Sequence, residues 1–197
     1  HCPYTADKAR LVLREMAESL ALDLVSKRLV TDQVVVTVGY DIENLTDPER
    51  ASHYNGLVVS DHYGRRIPKH AHGTERLETH TSSTKKIMGA ATALFDRLVD
   101  PNLLIRRLNI VAGHVMPEND AKKRNSGFEQ LDLFGDYTAQ KAKQEQEEAE
   151  LVRERKMQET MLTIKRKYGK NAILKGMNLE EGATAKDRND QIGGHRA

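Results

Sequence analysis

There is no tryptophan in this chain, only three phenylalanines and six tyrosines, and a single cysteine, Cys2. Rings carry the largest burial per side chain, so any core here is aliphatic and modest. One cysteine excludes an internal disulfide framework and a multi-cysteine zinc site, which points to a reducing, cytosolic setting. Long apolar runs are missing as well. Nothing approaches the roughly 18 residues that a bilayer-spanning helix needs, so no membrane role is expected, and no signal-peptide pattern opens the chain. A strong net charge is also absent, with 31 Lys/Arg against 29 Asp/Glu for a net of +2. The first residue is His1 rather than Met, and the sequence reads as the later part of a longer protein.

What is present is polar. Hydrophobic residues make up 38% and charged residues 30% of the 197, and mean hydropathy is −0.65. That is too polar for one ball of this length, so part of the chain is expected to be an exposed extension. The charge is unevenly placed. Residues 1–61 hold 6 Lys/Arg against 10 Asp/Glu, a net of −4, whereas residues 62–117 hold 9 against 4, a net of +5. A polyanion would meet the second of these segments.

Hydrophobic periodicity predicts an amphipathic helix over residues 7–29, with Ala9, Val12, Leu13, Met16, Leu20 and Leu24 at three- and four-residue spacing and Thr5 or Asp7 to cap it. The β-branched run Val34-Val35-Val36-Thr37-Val38 predicts a strand. From Asp41 to about Lys69 the composition turns to Asn, Asp, Pro and Gly. This reads as a long loop with a short hairpin around Leu57-Val58-Val59. Residues 72–79 form a second strand. Thr81 to Thr84 then supply N-cap residues for a helix with the stripe Ile87, Met88, Ala91, Leu94, Phe95 and Leu98, ended by Asp100-Pro101. Leu103 to Val115 alternates and reads as a third strand.

Helix, strand, strand, helix, strand is an α+β order. A strand ahead of His1 would complete a ferredoxin-like β-α-β-β-α-β unit, with two helices on one sheet face and the other face open. The expected organisation is a folded domain over 1–117, a linker over 118–137, and a charged helix with an irregular tail over 138–197. Within the linker, 118–127 is polar and Phe128 to Tyr137 is an apolar island. The run 138–168 has no Gly or Pro, and Gly169 ends it. In that run Lys141 to Glu150 reads as solvated helix, while Leu151, Val152, Arg155, Met157, Met161, Leu162, Ile164 and Tyr168 form a stripe that docks somewhere. From Arg153 to Lys175 there are 8 Lys/Arg against 2 Asp/Glu, a candidate further surface for DNA or a partner.

Alternation assigns the open face. Val34, Val36, Val38, Leu77, Leu108 and Ile110 should point to the helices. Thr37 and Gly39, His72, Thr74 and Arg76, and Arg107 and Asn109 then point outward. Lys69, Lys85 and Lys86 would extend this polar, basic patch, and a capped helix start near Ser83 adds backbone N–H groups. Such a surface suits phosphate contact without sequence reading. It also suits plain solvation. His62, His70, His72 and His80 cluster nearby, but with Asp61 as the one close carboxylate they lack the convergent ligands that a metal needs. Nucleophile–base pairs, phosphate loops and paired-carboxylate signatures are absent, so no catalytic residue is assigned.

Two sets of residues carry a resemblance. Gln130-Leu131-Asp132-Leu133-Phe134 resembles the bacterial sliding-clamp binding peptide of the form Gln-Leu-Ser/Asp-Leu-Phe. Its Gln can hydrogen-bond, and its Leu-Phe pair can fill one apolar pocket. The same island would also serve to anchor the extension on the core. Tyr4 through the first helix to Val34–Tyr40, together with Leu104-Ile105-Arg106-Arg107-Leu108-Asn109-Ile110, resembles the C-terminal region of UmuC/DinB-like Y-family translesion DNA polymerases. Arg188 to His195 is similar to the end of a Gram-positive UmuC-like subgroup. The resemblance implies a "little finger" that lies along primer–template duplex and contacts its backbone. The polymerase domains, with their Mg2+-binding carboxylates, would precede His1, so no cofactor is expected in this chain. The implied function is a non-catalytic grip on duplex DNA, with Gln130–Phe134 tethering the enzyme to the clamp, in the cytoplasm at the nucleoid. The competing reading is a ferredoxin-like interaction or regulatory domain that dimerises through its helical tail.

Overall fold

The structure, a computed structural model, describes residues 3–125, 137–192 and 195–196. Helix α1 (Ala6–Lys27) follows Thr5, whose side chain makes no capping bond. It ends where Arg28 turns left-handed at φ 55° and donates its N–H to Leu24 and Val25 carbonyls, a residue other than glycine in the usual C′ role. Strand β1 (Leu29–Tyr40) then runs well beyond the valine cluster at both ends. The segment expected as loop instead contains two short helices, α2 (Glu43–Thr46) and α3 (Pro48–His53). Asp47 caps α3 by accepting the Arg50 N–H, and Pro48 opens it, a short local pattern that polar composition disguises. The hairpin is present as β2 (Val58–Ser60) and β3 (Arg66–Pro68). Strand β4 (Ala71–Thr81), helix α4 (Thr84–Leu98) and strand β5 (Ile105–Gly113) complete the expected order.

The main sheet is antiparallel in the order β4-β1-β5, with β6 (Met116–Pro117) pairing the start of β1. Tyr4 and Ile105 exchange both backbone hydrogen bonds at 2.8 Å, so the segment ahead of α1 adds to β5. Register places Val34, Val36 and Val38 on one face, and all three are fully buried. They pack with Leu13, Ala17 and Ala21 of α1 and Ile87, Ala91 and Leu94 of α4. Each Val, Leu or Ile among these contributes about 1.5–3 kcal/mol on burial. Gly73 of β4 belongs to the same face, and a Cβ there would stand 2.6 Å from Leu98 Cδ1 and 3.1 Å from Leu94 Cδ1. Glycine lets α4 lie that close to the sheet.

One expectation for the extension needs correction. Residues 118–127 are not simply linker, because Glu118–Asn125 forms helix α5, with Glu118 and Asp120 in the first turn where acids favour a helix dipole. The tail beyond Gly169 is mostly irregular as expected, but it packs against the domain. It carries a 3-10 turn (Gly176–Leu179) and helix α7 (Ala185–Asn189), and it wraps a buried carboxylate of α1. Glu15 accepts from Asn178 Nδ2 at 2.9 Å, Thr184 N at 2.8 Å, Ala185 N at 3.0 Å and Arg188 Nη2 at 3.3 Å. Lys175 reaches Glu18 at 2.6 Å in the same layer. Helix α1 therefore buries two faces, one on the sheet and one under the tail, and no helix among the described residues is apolar enough to cross a membrane.

Candidate nucleic-acid interface

Helices α1 and α4 lie on one side of the sheet, and the register defines what the other side presents. Antiparallel neighbours on one face form rows across the strands. Asn109, Thr37 and His72 make one row, Val111, Val35 and Thr74 the next, and Gln33 and Arg76 a third, while Arg107 stands opposite Gly39 at the end of the sheet. His72, Thr74, Arg76, Arg107 and Asn109 are exposed. The His72 Nδ1 and Thr37 Oγ1 atoms lie 2.8 Å apart, which fixes the imidazole over the central strand. The face is not wholly polar. Val35 and Val111 form an apolar patch in the middle, with Val111 45% exposed.

No carboxylate stands in these rows. Glu75 alternates to the helix side and pairs with Arg97 at 2.7 Å. Asp32, at the far end of β1, is 2.9 Å from His114 Nδ1 and 3.9 Å from His80 Nε2, while Asp41 at the other end faces Arg106 at 3.7 Å. Glu78, further along β4, is exposed. It lies within a register shift, in which the step from Thr31 to Gln33 on β1 is matched by the longer step from Thr81 back to Arg76 on β4. At this irregularity Thr31 Oγ1 accepts the Gln33 N–H at 3.1 Å and donates to the Gly113 carbonyl of β5 at 2.5 Å.

Six of the ten predicted DNA-contacting residues are thus gathered on one surface: Thr37, His72, Thr74, Arg76, Arg107 and Asn109. Lys69 is exposed where the chain enters β4. Ser83, Lys85 and Lys86 are elsewhere, at the start of α4, and they face helix α6 (Tyr137–Tyr168). Ser83 caps α4 by accepting the Lys86 N–H at 3.2 Å, and its hydroxyl donates to Glu154 at 2.6 Å. The Lys85 N–H also goes to Glu154, at 2.9 Å, and Lys85 Nζ meets Glu150 at 3.1 Å. Lys86 Nζ lies 2.5 Å from Glu147 and holds that carboxyl below the usual carboxylate range through hydrogen bond and charge. The stretch expected to be purely solvated helix therefore supplies two of the three acids that cover this helix start.

The rest of α6 docks by a narrower stripe than expected. Gln158 and Met161 are buried, and Gln158 Nε2 donates to the Ser82 carbonyl and Thr84 Oγ1, each at 2.9 Å. Arg155 bridges Ser82 and Glu118 at 3.2 Å. Val152, Met157 and Tyr168, predicted to join the stripe, are 56%, 56% and 67% exposed. No group of three or more potential metal ligands occurs among the described residues.

The sheet backed by two helices, with its opposite face open and basic, defines a mixed α+β domain of the little-finger kind. Residues 3–133 match the impB/mucB/samB family C-terminal domain. The chain belongs to that family, the C-terminal region of Y-family polymerases such as UmuC and DinB. No curated protein and no solved structure matches it.

Proposed function

We propose that the open face of the β4-β1-β5 sheet grips duplex DNA through its phosphates, behind the active site of a translesion polymerase whose Mg2+-binding domains are not part of this sequence. The observation that carries this reading is the acid-free arrangement of Arg107, Asn109, Thr37, His72, Thr74 and Arg76 on one exposed surface. Two guanidiniums and several small hydroxyl and amide groups suit a backbone that repeats regardless of sequence. Val35 and Val111 would lie against sugar edges. Ser83, Lys85 and Lys86 contribute less, since carboxylates of α6 already occupy them. By fluorescence anisotropy on a labelled duplex, Arg76→Glu with Arg107→Glu is expected to weaken binding at least tenfold. Lys85→Glu is expected to change it by less than threefold, and equal effects of the two would refute the assignment of the face.

The pentamer Gln130–Phe134 lies outside the described residues and keeps its proposed role as a tether to the bacterial sliding clamp. It stands in sequence between α5 and α6, which both join the folded domain, so a bound clamp would be tethered to that domain and local concentration would do the rest. Leu133→Ala with Phe134→Ala should abolish capture of purified clamp while leaving duplex affinity unchanged; capture at the native level would exclude the tether. Dimerisation through the tail, the competing reading, is disfavoured because Gln158, Met161 and the residues around Glu15 are already buried within one chain.

A further inference from the structure

The β2–β3 hairpin sits at the end of the sheet where β1 stops and β4 begins, its β3 strand lying against α2 and β1, and the Lys69 N–H closes its base by donating to the Leu57 carbonyl at 2.8 Å. Its tip, residues 61–65, is tightly organised by one carboxylate. Asp61 Oδ1 accepts the N–H groups of Tyr63 and Arg65, both at 2.9 Å, and Oδ2 receives the Arg65 guanidinium at 2.8 Å from Nε and 2.7 Å from Nη2. The Asp61 N–H and the Arg65 carbonyl close the turn at 2.9 Å, and Gly64 takes the left-handed conformation the turn requires. Those bonds from Arg65 and from the backbone hold the Asp61 carboxyl below its ordinary range.

This frame holds up a bare ring. Tyr63 is 78% exposed, more than any other large hydrophobic residue among those described. The Arg65 guanidinium carbon lies 5.2 Å from its centroid and the His62 ring packs edge-on at 5.4 Å. Turns that only reverse the chain are dominated by Gly, Pro, Asn, Asp and Ser, and chain reversal does not call for a displayed aromatic. The surroundings are cationic: residues 62–72 contain Arg65, Arg66, Lys69 and three histidines and no Asp or Glu. Arg66, Lys69 and His70 are exposed along the path from the tip to His72 on the open face.

We infer that the hairpin tip is a second nucleic-acid site, in which Tyr63 stacks on an unpaired base and Arg65, Arg66 and Lys69 meet the adjoining phosphates. Rings presented beside cations bind single strands because every unpaired base offers a π-face, whereas bases inside a duplex already stack on each other. The ligand class is therefore a single-stranded segment continuous with duplex. The inference rests on the duplex-gripping face proposed above, and places the junction of the two forms at the hairpin end of the sheet.

The test uses the whole chain with a blunt duplex and with the same duplex carrying a single-stranded overhang. Since the sequence has no tryptophan, Tyr63→Trp places a sole indole at the tip. Its emission should be quenched by the overhang DNA and not by the blunt duplex. Tyr63→Ala should weaken overhang binding by about tenfold and leave blunt-duplex binding within twofold, and Tyr63→Phe should restore it, since stacking needs the ring and not the hydroxyl. If Tyr63→Ala binds both DNAs like the parent chain, and the indole responds to neither, the tip site is refuted while the sheet face stands. Wild-type chain that binds neither DNA would overturn both.

Discussion

Asn44 is fully buried and closes the corner between β1 and β5. Its Nδ2 donates to the Asp41 and Leu104 carbonyls, each at 2.9 Å, and its Oδ1 accepts the Leu104 N–H at 2.8 Å. Both carbonyls have other donors, but the Leu104 N–H has no other acceptor, and a buried orphan donor costs about 1–3 kcal/mol. Asn44→Ala should therefore destabilise the domain by about 2 kcal/mol, read as a lower urea midpoint with unchanged slope. Arg10 and Asp96 join α1 to α4 by two hydrogen bonds, at 2.7 and 2.8 Å. The Arg10 hydrogen bond holds the Asp96 carboxyl below its ordinary 3.8. A depressed carboxyl stabilises the fold above its unfolded value and loses that contribution as pH falls through the folded value. The pair is about half exposed, so its worth is small, about 0.2–1 kcal/mol. The difference in stability between wild type and Asp96→Asn should be constant above about pH 5 and vanish toward about pH 2, as thermal melts across that range would show. A gap that widens toward acid would contradict the sign. Neither residue announced itself in sequence. Asn44 sits in a stretch rich in loop formers, and a single arginine and aspartate 86 residues apart carry no local pattern.

At the scale of elements, alternation and helical spacing were sufficient for the core layer. Val34, Val36 and Val38 point to the helices, and Leu108 and Ile110 with them, as the period of two requires. Sidedness of the open face was legible for the same reason. What escaped was the second face of α1, because an acid at Glu15 interrupts the apolar pattern and reads as solvent-facing. In the fold that acid is 1% exposed, and burial opposes the charge on Arg188 beside it. The carboxylate organises the start of α7 by accepting backbone N–H groups there, where a helix favours an anion. Glu15→Ala leaves those donors unmatched and should release the tail from α1 at a cost of about 3 kcal/mol. Limited proteolysis would register this as rapid cleavage between Gly169 and Ile192 with the 3–125 region intact. A tail as resistant as in the parent chain would show that Met177 and Ala185 hold it without the acid. Likewise α6 owes its course to Glu147 and Glu150, which meet Lys86 and Lys85 of α4, and to Glu154, which accepts from the Ser83 hydroxyl and the Lys85 N–H, a match between segments some 60 to 70 residues apart that no window along the chain displays.

Across the whole molecule the charges sort themselves by face. The acids of the first 61 residues are largely spent in pairs at the ends and back of the sheet, among them Asp32 with His114 and Asp41 with Arg106. Most cations of the following segment divide between the open face, the hairpin and the α4 start, while Arg97 and Arg106 pair with Glu75 and Asp41. A net charge of +2 conceals this arrangement, which explains why composition was silent and register informative. The central claim is that the open face reads phosphate charge. Its most direct measurement is duplex affinity as a function of salt for the wild-type chain and the Arg76→Glu, Arg107→Glu double variant. Counterion release predicts a linear fall of log affinity with log salt. The slope becomes shallower by about 0.9 for each phosphate left unneutralised, so by about 2 in the double variant. Affinity that is flat with salt, or the same slope in both proteins, would contradict the account.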